Sequence, residues 1–109
     1  MTKPDLTVLP PEALAYAARA LTLGKHPRNK HLEVLPPTVA VGRCREYLAA
    51  TLRHLYAVAA SIEVGDGPGV EDAETGLPHL AHALGRLSAL VSIGAGAGIL
   101  PDLSGEAHQ

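Results

Sequence analysis

The sequence lacks the bulky aromatic residues on which many small domains build a core. Its 109 residues include no Phe and no Trp, and the only aromatic side chains of that kind are three tyrosines. Hydrophobic residues still make up 47% of the chain, and Ala and Leu dominate among them. Both favour helices, and small side chains let helices pack closely, whereas sheets draw on β-branched and aromatic residues. The composition predicts an all-α domain with a thin core, which we expect oligomerisation to complete.

Three further absences limit the classes of protein to which the chain can belong. The single cysteine, Cys44, excludes an intrachain disulfide. A formal net charge of -2 argues against a general nucleic-acid binder or a protein of anionic membranes, both of which need basic surfaces. No signal peptide is visible and no apolar run reaches the roughly 18 residues that span a bilayer, so we expect a cytoplasmic protein with no membrane partner.

Local signals predict three helices within one helical domain at residues 10–98, between a disordered lead-in at 1–9 and a flexible tail at 99–109. Proline at the start and glycine at the end predict a first helix at 11–23. A loop with a basic cluster then leads to a second helix at 39–64, for which Thr38 is the predicted N-cap. The third helix is predicted to start near Thr75, with Pro78 in its first turn, and to end in the Gly-Ala run at 94–98.

Apolar residues step by three and four along both long helices, which is typical of one buried stripe per helix. We expect these stripes to face each other in a small bundle of three to four helices. They comprise Val41, Cys44, Leu48, Leu52, Leu55, Ala59 and Ile62 on the second helix, and Leu77, Leu80, Leu84, Leu87 and Val91 on the third.

Polar side chains gather around the start of the third helix. His79 and His82 are three residues apart and therefore neighbours on one side of the helix, with Asp72 and Glu74 just before it. Carboxylates suit hard divalent ions, whereas imidazoles shift the preference toward Mn, Co, Ni or Zn. The pattern is also typical of a solvated polar face, with the two acids merely complementing the helix dipole.

Two other polar features can likewise be interpreted as structural or as functional. His54 shares a face of the second helix with Tyr47 and Thr51, where a half-buried structural histidine is common. The basic cluster at 25–31 is also typical of a solvated loop. The chain has no P-loop and no Gly-x-Ser-x-Gly elbow, and Cys44 lies in an apolar stripe that suits packing better than catalysis.

Two segments resemble the dATP/dGTP diphosphohydrolase N-terminal domain family, which is widespread in phages and bacteria. One is the Arg53-His54 pair with its helical surroundings, and the other is Asp-Ala-Glu-Thr-Gly-Leu-Pro-His-Leu-Ala-His at 72–82. The likeness covers about residues 24–93, and its second half is the more specific part.

The resemblance implies an all-α, MazG-like enzyme that cleaves a (deoxy)nucleoside triphosphate to the monophosphate and pyrophosphate with a divalent metal, Mg or Mn first and Zn, Co or Ni otherwise. Its partners would be a nucleotide and further copies of the chain, with the metal between the second and third helices across a subunit boundary. By position, it implies metal ligands at Asp72, Glu74, His79 and His82, catalytic candidates at His54 and Glu74, and phosphate-binding residues at Arg53, Arg28 and Lys25.

The chain departs from the family pattern in several places. Lys30 stands where a tryptophan is expected, Arg86 replaces an asparagine, and Glu63 is only a loose match to an acid of the family. The carboxylate motifs of typical MazG enzymes are absent. Two hypotheses follow, a nucleotide diphosphohydrolase and a non-catalytic helical binding or oligomerisation module on the same scaffold.

Overall fold

The fold is an all-α arrangement, as predicted. The computed structural model describes residues 5–23 and 34–101, and within them a 3-10 turn at Leu6–Val8 is followed by three α-helices. These are α1 (Pro11–Thr22), α2 (Pro37–Glu63) and α3 (His79–Gly96). Over the same residues, the one β-type pairing is a bridge between Glu71 and Pro78. In this part of the chain, none of the helices combines the length and apolarity needed to cross a membrane.

Helix α3 is the central element, because it packs against both α1 and α2. Cys44 of α2 contacts the Leu90 carbonyl, while His54 farther along α2 contacts the first residue of α3, so the two helices run antiparallel. At the contact with α1, a Cβ atom on Gly85 would lie 3.2 Å from the Ala17 carbonyl oxygen. The absence of a side chain at Gly85 therefore sets the close approach of α1 and α3.

Prolines, and no threonine cap, begin all three helices. Pro10, Pro36 and Pro78 occupy the N-cap positions. The predicted Thr38 cap is wrong, because α2 already begins at Pro37, whose missing N–H costs nothing in the first turn. The predicted start near Thr75 is also wrong. Residues 70–78 form a closed turn instead, tied by hydrogen bonds from the Asp72 amide to the Leu77 carbonyl and from the His79 amide to the Val70 carbonyl.

The buried face of α2 is not its leucine stripe. Ala40 and Tyr47 pack with Ala89 and Ile93 of α3 to form the core cluster. The predicted stripe is wrong as a core face, because most of its large side chains are 42–54% exposed, namely Val41, Leu48, Leu52, Leu55 and Ile62. Small side chains let α2 and α3 approach closely, and this approach turns the leucines outward.

On α3, as on α2, the predicted leucine stripe is exposed and the opposite side of the helix is buried. His82 is only 8% exposed, whereas Leu80 is 42% and Leu87 is 43% exposed. The polar residues do lie on the side opposite the leucines, as expected, but it is the polar side that faces α2. The alternative of a freely solvated polar face is therefore wrong for His82.

A candidate metal centre between the second and third helices

Three side chains from three successive elements converge near the end of the α2–α3 hairpin where a loop connects the two helices. His54 belongs to α2, Asp72 to the turn at 70–78, and His79 is the first residue of α3. One ligand atom from each lies within 4.8 Å of the other two, and all three residues are half-buried. The fold therefore brings together two imidazole nitrogens and a carboxylate from positions 25 residues apart along the chain.

The turn holds the Asp72 carboxylate in place through its own backbone. The Asp72 carbonyl accepts a 2.8 Å hydrogen bond from the Gly76 amide, and Gly76 has a φ of 73° that favours glycine. One carboxylate oxygen of Asp72 accepts a 2.7 Å hydrogen bond from the Glu74 amide. A carboxylate oxygen of Asp72 lies within 4.8 Å of a ring nitrogen of His54 and of one of His79. The Asp-x-Glu-x-Gly sequence therefore supports this acid locally.

His54 and His79 meet nitrogen to nitrogen. Their Nδ1 atoms are 2.8 Å apart, and the ring centroids are 5.0 Å apart. At that distance one imidazole donates its N–H and the other accepts, so the pair can hold only one proton between the two nitrogens. Protonating both rings would set two donors against each other, whereas a cation placed between them would use both lone pairs.

His82 packs against the His54 ring of this pair. Its ring stacks on that of His54, with centroids 4.9 Å apart and planes tilted by 19°. Its Nε2 atom is 2.7 Å from the Thr75 hydroxyl, which also accepts a hydrogen bond from the Leu77 amide. Because that hydroxyl is engaged with His82 and the turn, it is not available to cap α3. His82 is not among the three converging residues, and its ring packs against that of His54.

Burial and neighbouring charges favour the neutral form of His54 and His82. Burial lowers the pKa of His54 below the ordinary 6.5, and charge on His82 and His79 lowers it further, against the attraction of Asp72. Burial likewise lowers the pKa of His82, although Asp72 opposes this shift. Neutral imidazole is the form that binds a metal ion.

The Asp72 carboxyl group is held in its charged form. Burial alone would raise its pKa, but the hydrogen bond from the Glu74 amide and the neighbouring imidazoles lower it by more, to below the usual 3.8. Near neutral pH the cluster therefore presents one negative charge and neutral imidazole at His54 and His82.

This donor set fits a divalent cation of borderline hardness. Metal–ligand distances of roughly 2.1 Å place ligand atoms roughly 3 to 4 Å apart, a spacing that small side-chain movements within the cluster would give. Two imidazoles and one carboxylate suit Mn, Co, Ni or Zn more than Mg. Three protein ligands also leave coordination positions open for water or a phosphate oxygen, as catalytic sites require.

The other residues singled out in the sequence lie outside this trio. The Glu74 side chain is exposed, and only its amide contacts Asp72. Arg53 is exposed on α2 beside His54. Lys25 and Arg28 lie outside the described residues. The expected position of the site across a subunit boundary stays a prediction.

Two contributors went unrecognised in the sequence. Thr75 is predicted there only as a helix cap, yet its hydroxyl contacts His82. Arg86 is named there only as a departure from the family pattern, yet its guanidinium lies 5.4 Å from the centre of the Tyr47 ring, between α2 and α3. The available signal is helical spacing, which puts Arg86 four residues after His82 on the same side of α3.

Fold and site together define a class, an all-α domain that gathers histidines and an aspartate between two antiparallel helices. The family model described as "dATP/dGTP diphosphohydrolase, N-terminal" matches residues 1–96. The chain therefore belongs to this family and is a domain related to deoxynucleoside triphosphate diphosphohydrolases. No curated protein and no solved structure matches the chain.

Proposed function

We propose that this domain is a metal-dependent nucleoside triphosphate diphosphohydrolase, which converts a (d)NTP to the (d)NMP and pyrophosphate. The observation that carries the proposal is the convergence of His54, Asp72 and His79 within 4.8 Å. Membership of the diphosphohydrolase family supports a nucleotide as the substrate. The pKa shifts support it as well, because they favour neutral imidazole at His54 and a charged carboxylate at Asp72.

His54, Asp72 and His79 would hold the cation, with Mn²⁺ the first choice and Mg²⁺, Zn²⁺, Co²⁺ or Ni²⁺ the others. A bound divalent ion would supply neutralisation of triphosphate charge and a hydroxide for attack. His82 stacks on His54 and would keep that ring oriented, as outer partners of metal-bound histidines do.

Exposed charged residues around the trio would act on the substrate. The Glu74 carboxylate lies on the turn beside Asp72, in reach of solvent, and is our candidate for accepting a proton from the attacking water. Arg53, next to His54 and exposed, is positioned to meet phosphate oxygens. By the family resemblance, Lys25 and Arg28 would share that role.

The test is pyrophosphate release. Purified protein is incubated with each of the four common dNTPs and with Mn²⁺ or Mg²⁺, and pyrophosphate and nucleoside monophosphate are quantified. We expect release that Asp72→Asn abolishes, while Glu71→Gln, a neighbouring exposed acid outside the trio, leaves it intact. Release of phosphate in place of pyrophosphate, or equal activity in both variants, would contradict the proposal.

The second candidate is a non-catalytic binding or oligomerisation module. It is favoured by the large apolar side chains that α2 and α3 expose, which are more than solubility would select. The two candidates differ in what Asp72→Asn does. A module would keep its assembly state and show no turnover with or without the substitution, whereas the hydrolase loses measured activity.

A further inference from the structure

A half-buried cation lies on α3 one helical turn beyond His82. Arg86 follows His82 by four residues and therefore projects from the same side of the helix as His79 and His82. Its guanidinium lies 5.4 Å from the centre of the buried Tyr47 ring, within the range of a cation–π contact. A contact of this kind holds a guanidinium in position without neutralising its charge.

The charge of Arg86 has no acidic partner in the described part of the chain. Over residues 5–23 and 34–101 the one ion pair joins Arg43 to Glu46. The charge of Arg86 acts on the histidine cluster instead. Burial lowers the pKa of His82, Asp72 opposes this shift, and Arg86 lowers the pKa further. A half-buried charge in such a position is stabilised by an anion, and a guanidinium is the side chain best shaped to bind one.

Arg86 is also one of the positions at which the chain departs from the family pattern, where an asparagine is expected. An amide at this position could form hydrogen bonds but would add no charge. The positive charge beside the cluster is therefore a feature of this chain, and the family resemblance does not imply it.

We propose that Arg86 binds the terminal phosphate of the nucleoside triphosphate, with paired N–H groups donating to its non-bridging oxygens. This inference rests on the proposed hydrolase function, in which the α-phosphorus lies at the cation held by His54, Asp72 and His79. Water adds to that phosphorus, the bond to the oxygen that bridges to the β-phosphorus breaks, and pyrophosphate leaves with the electron pair. The β- and γ-phosphates therefore extend away from the trio, toward a positive charge that receives them.

The position of Arg86 fits the pyrophosphate end of the substrate. Arg86 follows His79 by seven residues, which is about 10 Å along the helix axis. Helical side chains lean toward the N-terminus of their helix, so the guanidinium reaches back toward the trio and covers part of that distance. A cation there suits the β- and γ-phosphates, and the uncharged nucleoside would lie on the other side of the trio.

Equilibrium binding tests this contact without requiring turnover. The probes are dAMP and a dATP analogue with a methylene group between its α- and β-phosphorus, each titrated into Mn²⁺-loaded protein. Arg86→Gln should weaken binding of the triphosphate analogue by about 10-fold to 100-fold, because it removes charge-assisted hydrogen bonds, and should leave dAMP affinity unchanged. Arg45→Gln removes the same charge from an exposed position of α2 and should bind both probes as the wild type does.

Three results would overturn the proposal. They are an equal loss of affinity for both probes, no loss for either, and a wild type that binds the triphosphate analogue no more tightly than dAMP. Arg86→Lys provides a second variant in case Arg86→Gln does not fold. It keeps the charge but lacks the planar fork of donors, so its loss should be smaller than that of Arg86→Gln. Mn²⁺ affinity should not fall in either variant, and a fall would place the effect of Arg86 at the trio instead.

Steady-state kinetics distinguish failure of this proposal from failure of the hydrolase itself. Arg86→Gln should raise the KM for dATP by a factor similar to the loss in binding and change kcat far less, whereas Asp72→Asn abolishes pyrophosphate release. A wild type that releases no pyrophosphate refutes the hydrolase, and the binding titrations still decide whether Arg86 contacts a triphosphate. An Arg86→Gln protein with the KM of the wild type refutes the contact while the hydrolase stands.

Discussion

The two faces of α2 differ in the size of their side chains and in how far these are buried. The inner face packs Ala40, Tyr47 and Val58 against α3 and carries His54 at its end. The outer face carries the leucines and leaves them 42–46% exposed. Small residues on the inner face bring the helices close enough for imidazoles to meet, whereas the outer face carries larger apolar side chains. A single helix thus carries a polar cluster on one face and an exposed apolar row on another.

The comparison teaches that the largest side chains need not mark the core of a small domain. Among residues 5–23 and 34–101, Ile93 is the one large side chain that is fully buried, at 1% exposure. The rest of the inner contact consists mainly of alanine, glycine and partly polar residues. A domain built this way has little buried apolar area to stabilise it.

The largest expected effect lies at the inner face, in metal affinity. Replacing His79 by Ala removes one of three protein ligands, so we expect Mn²⁺ affinity to fall by roughly 100-fold or more. Calorimetric titration of wild type and variant measures it. The remaining histidines, His26, His31 and His108, lie outside the described residues, so the control is Glu71→Gln, which should bind Mn²⁺ as the wild type does. An unaltered affinity in His79→Ala would remove His79 from the site.

A substitution of Glu74 separates cation binding from action on the substrate. Because its side chain is exposed and only its amide contacts Asp72, Glu74→Gln should retain Mn²⁺ binding. Turnover should fall by roughly 100-fold, the effect expected of a lost general base. Parallel titration and pyrophosphate assays separate the two. If Mn²⁺ affinity fell and the loss of turnover were no larger than that fall explains, Glu74 would be a metal ligand.

Two substitutions, one in the α2–α3 core and one on the outer face of α2, compare how much each region contributes to the free energy of unfolding. Ile93→Ala should lower the free energy of unfolding by about 2–5 kcal/mol, because it leaves a cavity in the one large buried position. Ile62→Ala, at a 54% exposed position, should cost no more than about 0.5 kcal/mol in dilute protein. Urea unfolding at low concentration measures both. Equal costs would mean that the outer face is buried even in the monomer.

The close approach at Gly85 gives the next effect in size. A Cβ atom there would lie 3.2 Å from the Ala17 carbonyl oxygen and 3.2 Å from the Ala20 Cβ atom, so Gly85→Leu should cost about 1–3 kcal/mol by overpacking. Gly96 is helical with open space around it, so Gly96→Ala should stabilise the protein by about 0.5–1 kcal/mol. Thermal unfolding of the pair measures the difference. Similar melting temperatures would exclude a tight α1–α3 contact.

The smallest effect is pH dependence. His54 and His82 have pKa values below 6.5 in the folded protein, so the unfolded chain takes up protons first as the pH falls. Stability should therefore decline from about pH 6.5 downward, until the folded-state pKa values are passed, and should be flat above that pH. Urea midpoints of metal-free protein measure the slope, which His82→Gln should reduce. A stability that rises on acidification would contradict neutral histidines at this site.

Helix positions were predictable because their signals are local. Prolines start the helices and glycines follow their ends, so α1 at Pro11–Thr22 and α2 at Pro37–Glu63 lie within two residues of the predicted bounds. Which face is buried was not predictable, because α2 carries two stripes and periodicity cannot say which one meets α3. The cluster was predictable in part. Spacing paired His79 with His82 and set Asp72 just before the helix, but only the packing of α2 on α3 brings His54 to Asp72 and His79.

The most direct measurement is a Co²⁺ titration followed by visible absorption, since cobalt reports its own ligands. The account predicts one tightly bound equivalent, with a spectrum of nitrogen and oxygen coordination that is lost in both His54→Ala and Asp72→Asn but kept in Glu71→Gln. No bound Co²⁺, or the same spectrum in wild type and in both ligand variants, would contradict a metal centre between α2 and α3.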